Sequence, residues 1–167
     1  MKKLSFFFPL LLTVAASAQV QLHLSLLPDN KTYQVSMTPE ATWQSPQNTT
    51  GSAQIVVAVP SAQPFLAAGI ESKIPGVTWL DESYVESPAA APSWQFISFT
   101  VKELGTKSIP FEAGVETPLF TFRSASGDCA GGLLLLENSD PLVQDVVKIN
   151  IFIITQNLTV LGMRGNA

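Results

Sequence analysis

"IPFEAGVETPLFTF", residues 109–122, places a turn and a proline between two apolar runs. Residues 109–111 predict a short edge strand, and Gly114 allows the chain to reverse, since glycine tolerates positive φ. Pro118 suits the first residue of a new strand, where a missing N–H costs no ladder hydrogen bond. After Pro118 the side chains alternate between two faces, and one of these faces carries two rings, Phe120 and Phe122. The second run is therefore predicted to face the core of a β-sandwich.

The same two-residue alternation recurs along the chain, whereas helical periodicity is nearly absent. Residues 20–38 predict a β-hairpin, because alternating apolar residues flank a Pro-Asp-Asn-Lys turn. Further strands are predicted at residues 52–59, 77–80, 94–101, 133–136, 148–155 and 157–161. About nine strands without crossover helices predict an all-β fold, a single antiparallel β-sandwich or jelly roll.

The N-terminus has the features of a signal peptide. Lys2 and Lys3 precede an apolar block at residues 4–16, which ends in the small-x-small pattern Ala-Ser-Ala. The block is shorter than the roughly 20 residues of a membrane helix, which favours export over a retained anchor. We expect residues 1–18 to be removed and residues 19–167 to form one secreted or cell-surface domain. No transmembrane segment is expected after cleavage.

Charge and cysteine content limit the classes of partner and the means of stabilisation. Without the two N-terminal lysines, 7 basic side chains stand against 13 acidic ones, and the basic ones are scattered singly. A nucleic-acid partner is not expected, since phosphate binding needs clustered Lys and Arg. Cys129 is the single cysteine and has no internal partner, so the exported domain depends on its hydrophobic core.

Six phrases in a fixed order resemble small cohesin-like β-sandwich proteins exported by Bacteroidetes. They are TGSAQIVVAVP (50–60), VTW (77–79), WQFISFTV (94–101), FEAGVETPLFTF (111–122), CAGGLLLLENSDP (129–141) and NLTVLG (157–162). The resemblance implies a nine-stranded jelly roll related to cohesins and to carbohydrate-binding modules, with binding rather than catalysis as its function. The apolar stretch KINIFIIT, residues 148–155, departs from the polar sequence usual in these relatives.

Acidic side chains supply candidate calcium ligands but no convincing catalytic set. His23 is the only histidine and lies on the polar face of a predicted hairpin strand, so a Ser-His-Asp triad is not expected. Asp81 and Glu82 in a predicted loop at 81–93, and Glu137 and Asp140 further on, offer the oxygen ligands that calcium takes. Neither group has the spacing of an EF-hand loop. We expect no enzyme activity and no cofactor other than calcium.

Two aromatic residues in predicted polar loops are candidate ligand contacts. Trp43 lies in the predicted loop 39–51 and Tyr84 in the predicted loop 81–93. An aromatic ring in a polar loop is available to bind a ligand such as a sugar. A carbohydrate-binding module that uses these two rings is therefore one possible function.

The function expected from the sequence is a secreted, non-catalytic binding module. Its partner would be another secreted or surface protein, bound through an exposed sheet face and the two predicted loops. A polysaccharide bound by loop aromatics is the first alternative, and a calcium-stabilised structural subunit is the second.

Overall fold

The computed structural model describes residues 20–44, 48–104, 109–149 and 154–160. The predicted signal peptide lies outside these residues. The described chain contains nine strands and one helix, in this order: β1 (Val20–Leu26), β2 (Thr32–Pro39), β3 (Thr50–Pro60), β4 (Ala67–Ser72), β5 (Val77–Glu86), β6 (Trp94–Leu104), β7 (Thr117–Ser124), β8 (Leu134–Leu135), α1 (Pro141–Ile149) and β9 (Asn157–Val160).

The strands form two antiparallel sheets packed face to face. Sheet 1 has the order β1-β2-β7-β4, and sheet 2 has the order β5-β6-β3-β8, with β9 also paired to β3. The predicted all-β antiparallel sandwich is confirmed, whereas jelly-roll connectivity stays a prediction. Within the described ranges no helix is long and apolar enough to cross a membrane.

The main core lies between the two sheets and is rich in aromatic rings. Phe120 and Phe122 of β7 are fully buried, as the alternation after Pro118 predicts. The ring of Phe99 on β6 lies 5.0 Å from Phe120 and 4.7 Å from Phe122, and Trp79 of β5 lies 4.6 Å from Phe120. Offset and tilted ring pairs at these distances add to the free energy gained by burial.

A β-bulge adds one more core residue to β7. Val35 pairs with Phe120 while the next residue of β2, Ser36, pairs with Pro118. Leu119 is therefore the extra residue of the bulge and packs into the core beside Phe120, although simple alternation places it on the opposite face.

The predicted hairpin of residues 20–38 is present as β1 and β2, which pair from Val20 with Pro39 to Leu26 with Tyr33. The carboxylate of Asp29 accepts hydrogen bonds from the backbone N–H groups of Lys31 and Thr32 and from the Thr32 hydroxyl, at 2.6–3.0 Å. Asn30 adopts a φ of 53°, a conformation that asparagine tolerates in turns.

Helix α1 corrects the prediction of an all-strand C-terminal region. Residues 148 and 149 lie in the helix rather than in a strand at 148–155, and residues 150–153 are outside the described part of the chain. The side chain of Asp140 accepts a hydrogen bond from the N–H of Leu142 at 2.8 Å, and Pro141 is the first helical residue. An N-cap aspartate followed by proline favours the start of a helix at this point.

The helix creates a second, smaller core on the outer face of sheet 2. Val143 and Val146 pack with Val56, Ala58 and Phe96, together with other members of this cluster: Val85, Ala91 and Ile154. This face of sheet 2 is therefore covered. The outer face of sheet 1 carries mainly polar side chains, among them Gln21, His23, Ser25 and Arg123, which are exposed.

Three further predictions of local structure are wrong. The predicted loop 81–93 begins with the second half of β5, which extends to Glu86. The predicted buried strand 133–136 is reduced to the two residues of β8, and Leu134 is 42% exposed. Residues 109–111 form no strand of either sheet, since a single isolated β-bridge, between Phe111 and Trp43, is what pairs this stretch in the described chain.

Candidate functional site

An open groove runs along one side of the sandwich, between the edges of the two sheets. Its volume is about 530 Å³. One wall is formed by residues 20–23 of β1, and the other by residues 135–139 and 156–158, with Ile55 of β3 between them. Clefts of this size are common at ligand-binding sites.

The opposite side of the sandwich is closed. There the edge strands β4 and β5 approach each other, and the backbone N–H of Ala67 on β4 donates a hydrogen bond to the Tyr84 hydroxyl on β5 at 3.0 Å. Of these two sides, the inner layer of the described sandwich is therefore accessible from the side of the groove.

Burial along β1 shows that the core is incompletely covered at the groove. The inward side chains of the neighbouring strand β2, Tyr33, Val35 and Met37, are at most 4% exposed. The inward side chains of β1 are only half-buried, although they pack against the same core: Val20, Leu22 and Leu24. No described strand pairs with the outer edge of β1.

Two side-chain amides hold the opposite wall together. The Gln156 side chain accepts a hydrogen bond from the N–H of Val56 and donates to the carbonyl of Val56, both at 2.8 Å, and donates to the carbonyl of Leu136 at 3.2 Å. Asn138 accepts from the N–H of Gln156 at 2.6 Å and donates to its carbonyl at 2.8 Å.

These bonds bridge a gap in one sheet edge. β9 pairs with β3 as far as Gln54, and β8 pairs with Val57 and Ala58. Val56 lies in between, where its backbone groups have the Gln156 amide as partner in place of a strand. β8 and β9 are thus two halves of one edge strand, interrupted by a segment that contains α1.

The charge of the groove is weakly negative. Glu137 is the one carboxylate in the described lining, and it is exposed, with a hydrogen bond from the Ser139 hydroxyl at 3.2 Å. The other polar groups there are amides, a hydroxyl and the His23 imidazole. No described lysine or arginine contributes to the lining.

Trp43 is less available than the polar loop sequence suggests. It is half-buried and forms a β-bridge with Phe111, and the two ring centroids are 4.7 Å apart. Its ring therefore packs against the β6–β7 connection.

Tyr84 lies in strand β5 rather than in a loop. Its hydroxyl donates a hydrogen bond to the Asp81 carboxylate at 2.7 Å and accepts the one from Ala67. Burial, together with the hydrogen bond to Asp81, raises the pKa of Tyr84 to about 12. Through the hydrogen bond from Ala67, Tyr84 joins the two sheets.

The two candidate aromatics do not lie on one strip. Trp43 follows the end of β2 at Pro39, the end of the sandwich where β7 begins. Tyr84 is near the opposite end, two residues before β5 ends and beside the start of β4. A flat aromatic platform shared by these rings is not formed.

The candidate calcium ligands are also dispersed. Asp81 is bonded to Tyr84, and Glu82 accepts a hydrogen bond from the Thr100 hydroxyl on β6 at 2.7 Å. Glu137 lies at the groove and Asp140 caps α1. In the part of the chain that the structure describes, no group of three or more His, Cys, Asp or Glu side chains is arranged to hold a metal ion.

Comparisons with protein-family models, with curated proteins and with solved structures gave no match. The cohesin-like resemblance therefore stays a prediction from the six sequence phrases.

Among the site residues predicted from the sequence, Glu137 alone lies in the described lining of the groove. The sequence predicts oxygen ligands around residues 137–140, whereas the structure uses Asn138 to hold Gln156. The Asp140-Pro141 pair is a signal for the helix start that identifies an interruption after β8. Nothing in the local sequence shows that β1 and the two halves of the interrupted strand line one groove, because that depends on the packing of the sheets.

Proposed function

We propose that the chain is a secreted, non-catalytic module that binds another polypeptide, and that the groove is the binding site. The carrying observation is that β1 has a half-buried apolar face and an outer edge without a described strand partner. Buried apolar area and unused backbone groups are the two features by which sheet edges bind partner proteins.

Other surfaces support the proposal less well. The outer face of sheet 2 is occupied by α1 and its apolar cluster. The two aromatics that a carbohydrate-binding alternative needs are engaged in packing and hydrogen bonds at different ends of the sandwich. A protein partner at the groove is therefore the function favoured by the geometry.

The test compares two lysine substitutions that lie on neighbouring strands of sheet 1. Leu22→Lys places a charge in the groove, where a lysine can extend its amino group to solvent. Gln34→Lys is the matched control on β2, on the polar outer face of the same sheet. Circular dichroism and thermal unfolding establish that both variants are folded.

Each immobilised protein, without its leader, is incubated with the secreted and surface proteins of the producing organism and, separately, with insoluble polysaccharides. We expect the unsubstituted protein and Gln34→Lys to retain the same partner protein, and Leu22→Lys to lose it. Retention on a polysaccharide alone, or loss of the partner only in Gln34→Lys, contradicts the proposal.

A further inference from the structure

We propose that the groove binds an extended, cationic polypeptide segment as an added strand along β1, an inference that rests on the proposed function. The backbone of β1 shows how such a segment would pair. The N–H of Leu27 donates to the carbonyl of Thr32 at 2.8 Å, which identifies this pair as hydrogen-bonded. In an antiparallel ladder, hydrogen-bonded and non-hydrogen-bonded pairs alternate, and the β1–β2 register has no shift.

Because of this alternation, the backbone N–H and C=O groups of every second residue of β1 point toward the groove. Residues 21, 23 and 25 use their backbone groups to pair with β2. Val20, Leu22, Leu24 and Leu26 therefore direct their N–H and C=O groups away from β2, to the open side. An added strand can pair with this edge while the bonds to β2 remain intact.

An apolar seam in the groove, formed by Leu22, Ile55 and Leu158, determines the side-chain pattern of the bound segment. These three side chains lie at the level of the main core. Successive side chains of a strand point to opposite faces, so alternate residues of an added strand would enter this seam and the others would face solvent. The bound segment is thus expected to alternate apolar and polar residues over about the seven residues of β1.

Charge complementarity indicates which residues occupy the polar positions of the bound segment. Glu137 is the one charged carboxylate of the described lining, and the whole chain has a net charge of −4. A segment with Lys or Arg at its solvent-facing positions is attracted to this wall. A second copy of the chain brings the same negative charge and the same Glu137, so a cationic partner is favoured over self-association.

The test uses synthetic seven-residue peptides as defined probes, matching the length of β1. The first alternates lysine and valine, the second alternates glutamate and valine, and the third is the first with two valines changed to proline. Proline keeps the charge of the peptide but removes N–H groups that strand pairing needs. Affinity is measured by fluorescence anisotropy at low and at physiological salt. We expect the lysine–valine peptide to bind at least about tenfold more tightly than either of the others, a ratio that corresponds to about 1.4 kcal/mol.

Two protein variants test the mode of binding and a third tests the charge. Leu22→Pro removes a backbone donor directed at the groove, in an edge position that tolerates proline, and Leu22→Val is the control that keeps the N–H and also shortens the side chain. We expect Leu22→Pro to lose the peptide and Leu22→Val to keep it. Glu137→Gln should weaken binding and reduce its salt dependence without changing the thermal stability.

The inference is overturned if the proline-containing peptide binds as well as its parent, or if Leu22→Pro and Leu22→Val bind alike. It is also overturned if a photo-crosslinker at Ser25 captures residues of its own chain in place of the added peptide. If no peptide binds while Leu22→Lys still abolishes retention of the natural partner, strand addition fails and the groove stands as a binding site of another kind.

Discussion

Replacing Gln156 with methionine tests the structural account of the groove wall most directly. The substitution keeps a similar volume but removes the bonds to the backbone of Val56, a residue that is 3% exposed, and to the carbonyl of Leu136. A buried backbone group left without a partner costs about 1–3 kcal/mol. Two such groups at Val56, with water able to approach from the groove, give a loss of about 2–3 kcal/mol. That is a large part of the 5–15 kcal/mol by which a domain is typically stable.

The assay is urea unfolding followed by tryptophan fluorescence, combined with hydrogen exchange at the Val56 amide. Gln44→Met is the matched control, because Gln44 is exposed, and its stability should lie within about 0.5 kcal/mol of the parent protein. Gln156→Glu should destabilise as much as Gln156→Met, since a carboxylate accepts from the Val56 N–H but repels the two carbonyls. A loss below about 0.5 kcal/mol in Gln156→Met, with unchanged exchange at Val56, refutes the assignment of Gln156 as a substitute for strand pairing.

Three further perturbations follow from local contacts. Burial raises the pKa of Tyr84 from its ordinary value of 10 to about 12, so this tyrosine ionises at lower pH in the unfolded chain than in the folded one. The free energy of unfolding should therefore fall as the pH rises from 10 to 12. Urea unfolding measured across this pH range should show a shallower fall in Tyr84→Phe. Gly69→Ala should cost about 1–2 kcal/mol in thermal unfolding, since φ is +60° and the added Cβ would lie 2.7 Å from Nε of Arg123; an unchanged melting temperature would contradict this. Hydrogen bonds from Thr32 and Lys31 lower the pKa of Asp29 below its ordinary value of 3.8, so Asp29→Ala should be less stable than the parent at neutral pH, and the difference should vanish as acid titrates the folded carboxylate.

The sequence predicts best those elements that depend on neighbours along the chain. The hairpin of β1 and β2 follows from alternation and from a turn whose central Asp29 bonds to residues two and three positions later. The burial of Phe120 and Phe122 follows from the period of the strand after Pro118. Leu119 departs from that period because the bulge opposite Ser36 inserts an extra residue, and no local pattern records the register of the neighbouring strand.

Edges and insertions are where sequence patterns are least informative. The segment DESYVE at residues 81–86 has the polarity of a loop, yet it forms the end of edge strand β5. Charged residues are common on edge strands because they oppose pairing with other chains. The apolar stretch at 148–155 indicates burial equally well for a strand or a helix, and only the Asp140-Pro141 start signal separates the two.

The interruption between β8 and β9 connects the stability of the fold with its proposed function. The inserted segment supplies Asn138 to the wall of the groove before α1, covers one sheet face with α1, and supplies Gln156 to the same wall before β9 begins. Changes at Gln156 should therefore alter stability and binding together, because its bonds shape the wall. Glu137 has an exposed side chain whose hydrogen-bond partner is the exposed Ser139, so a change there should alter binding alone. A change at Glu137 that alters binding but not stability is expected only if the groove is a binding site. If the groove binds no ligand, a change at Glu137 should have no measurable effect.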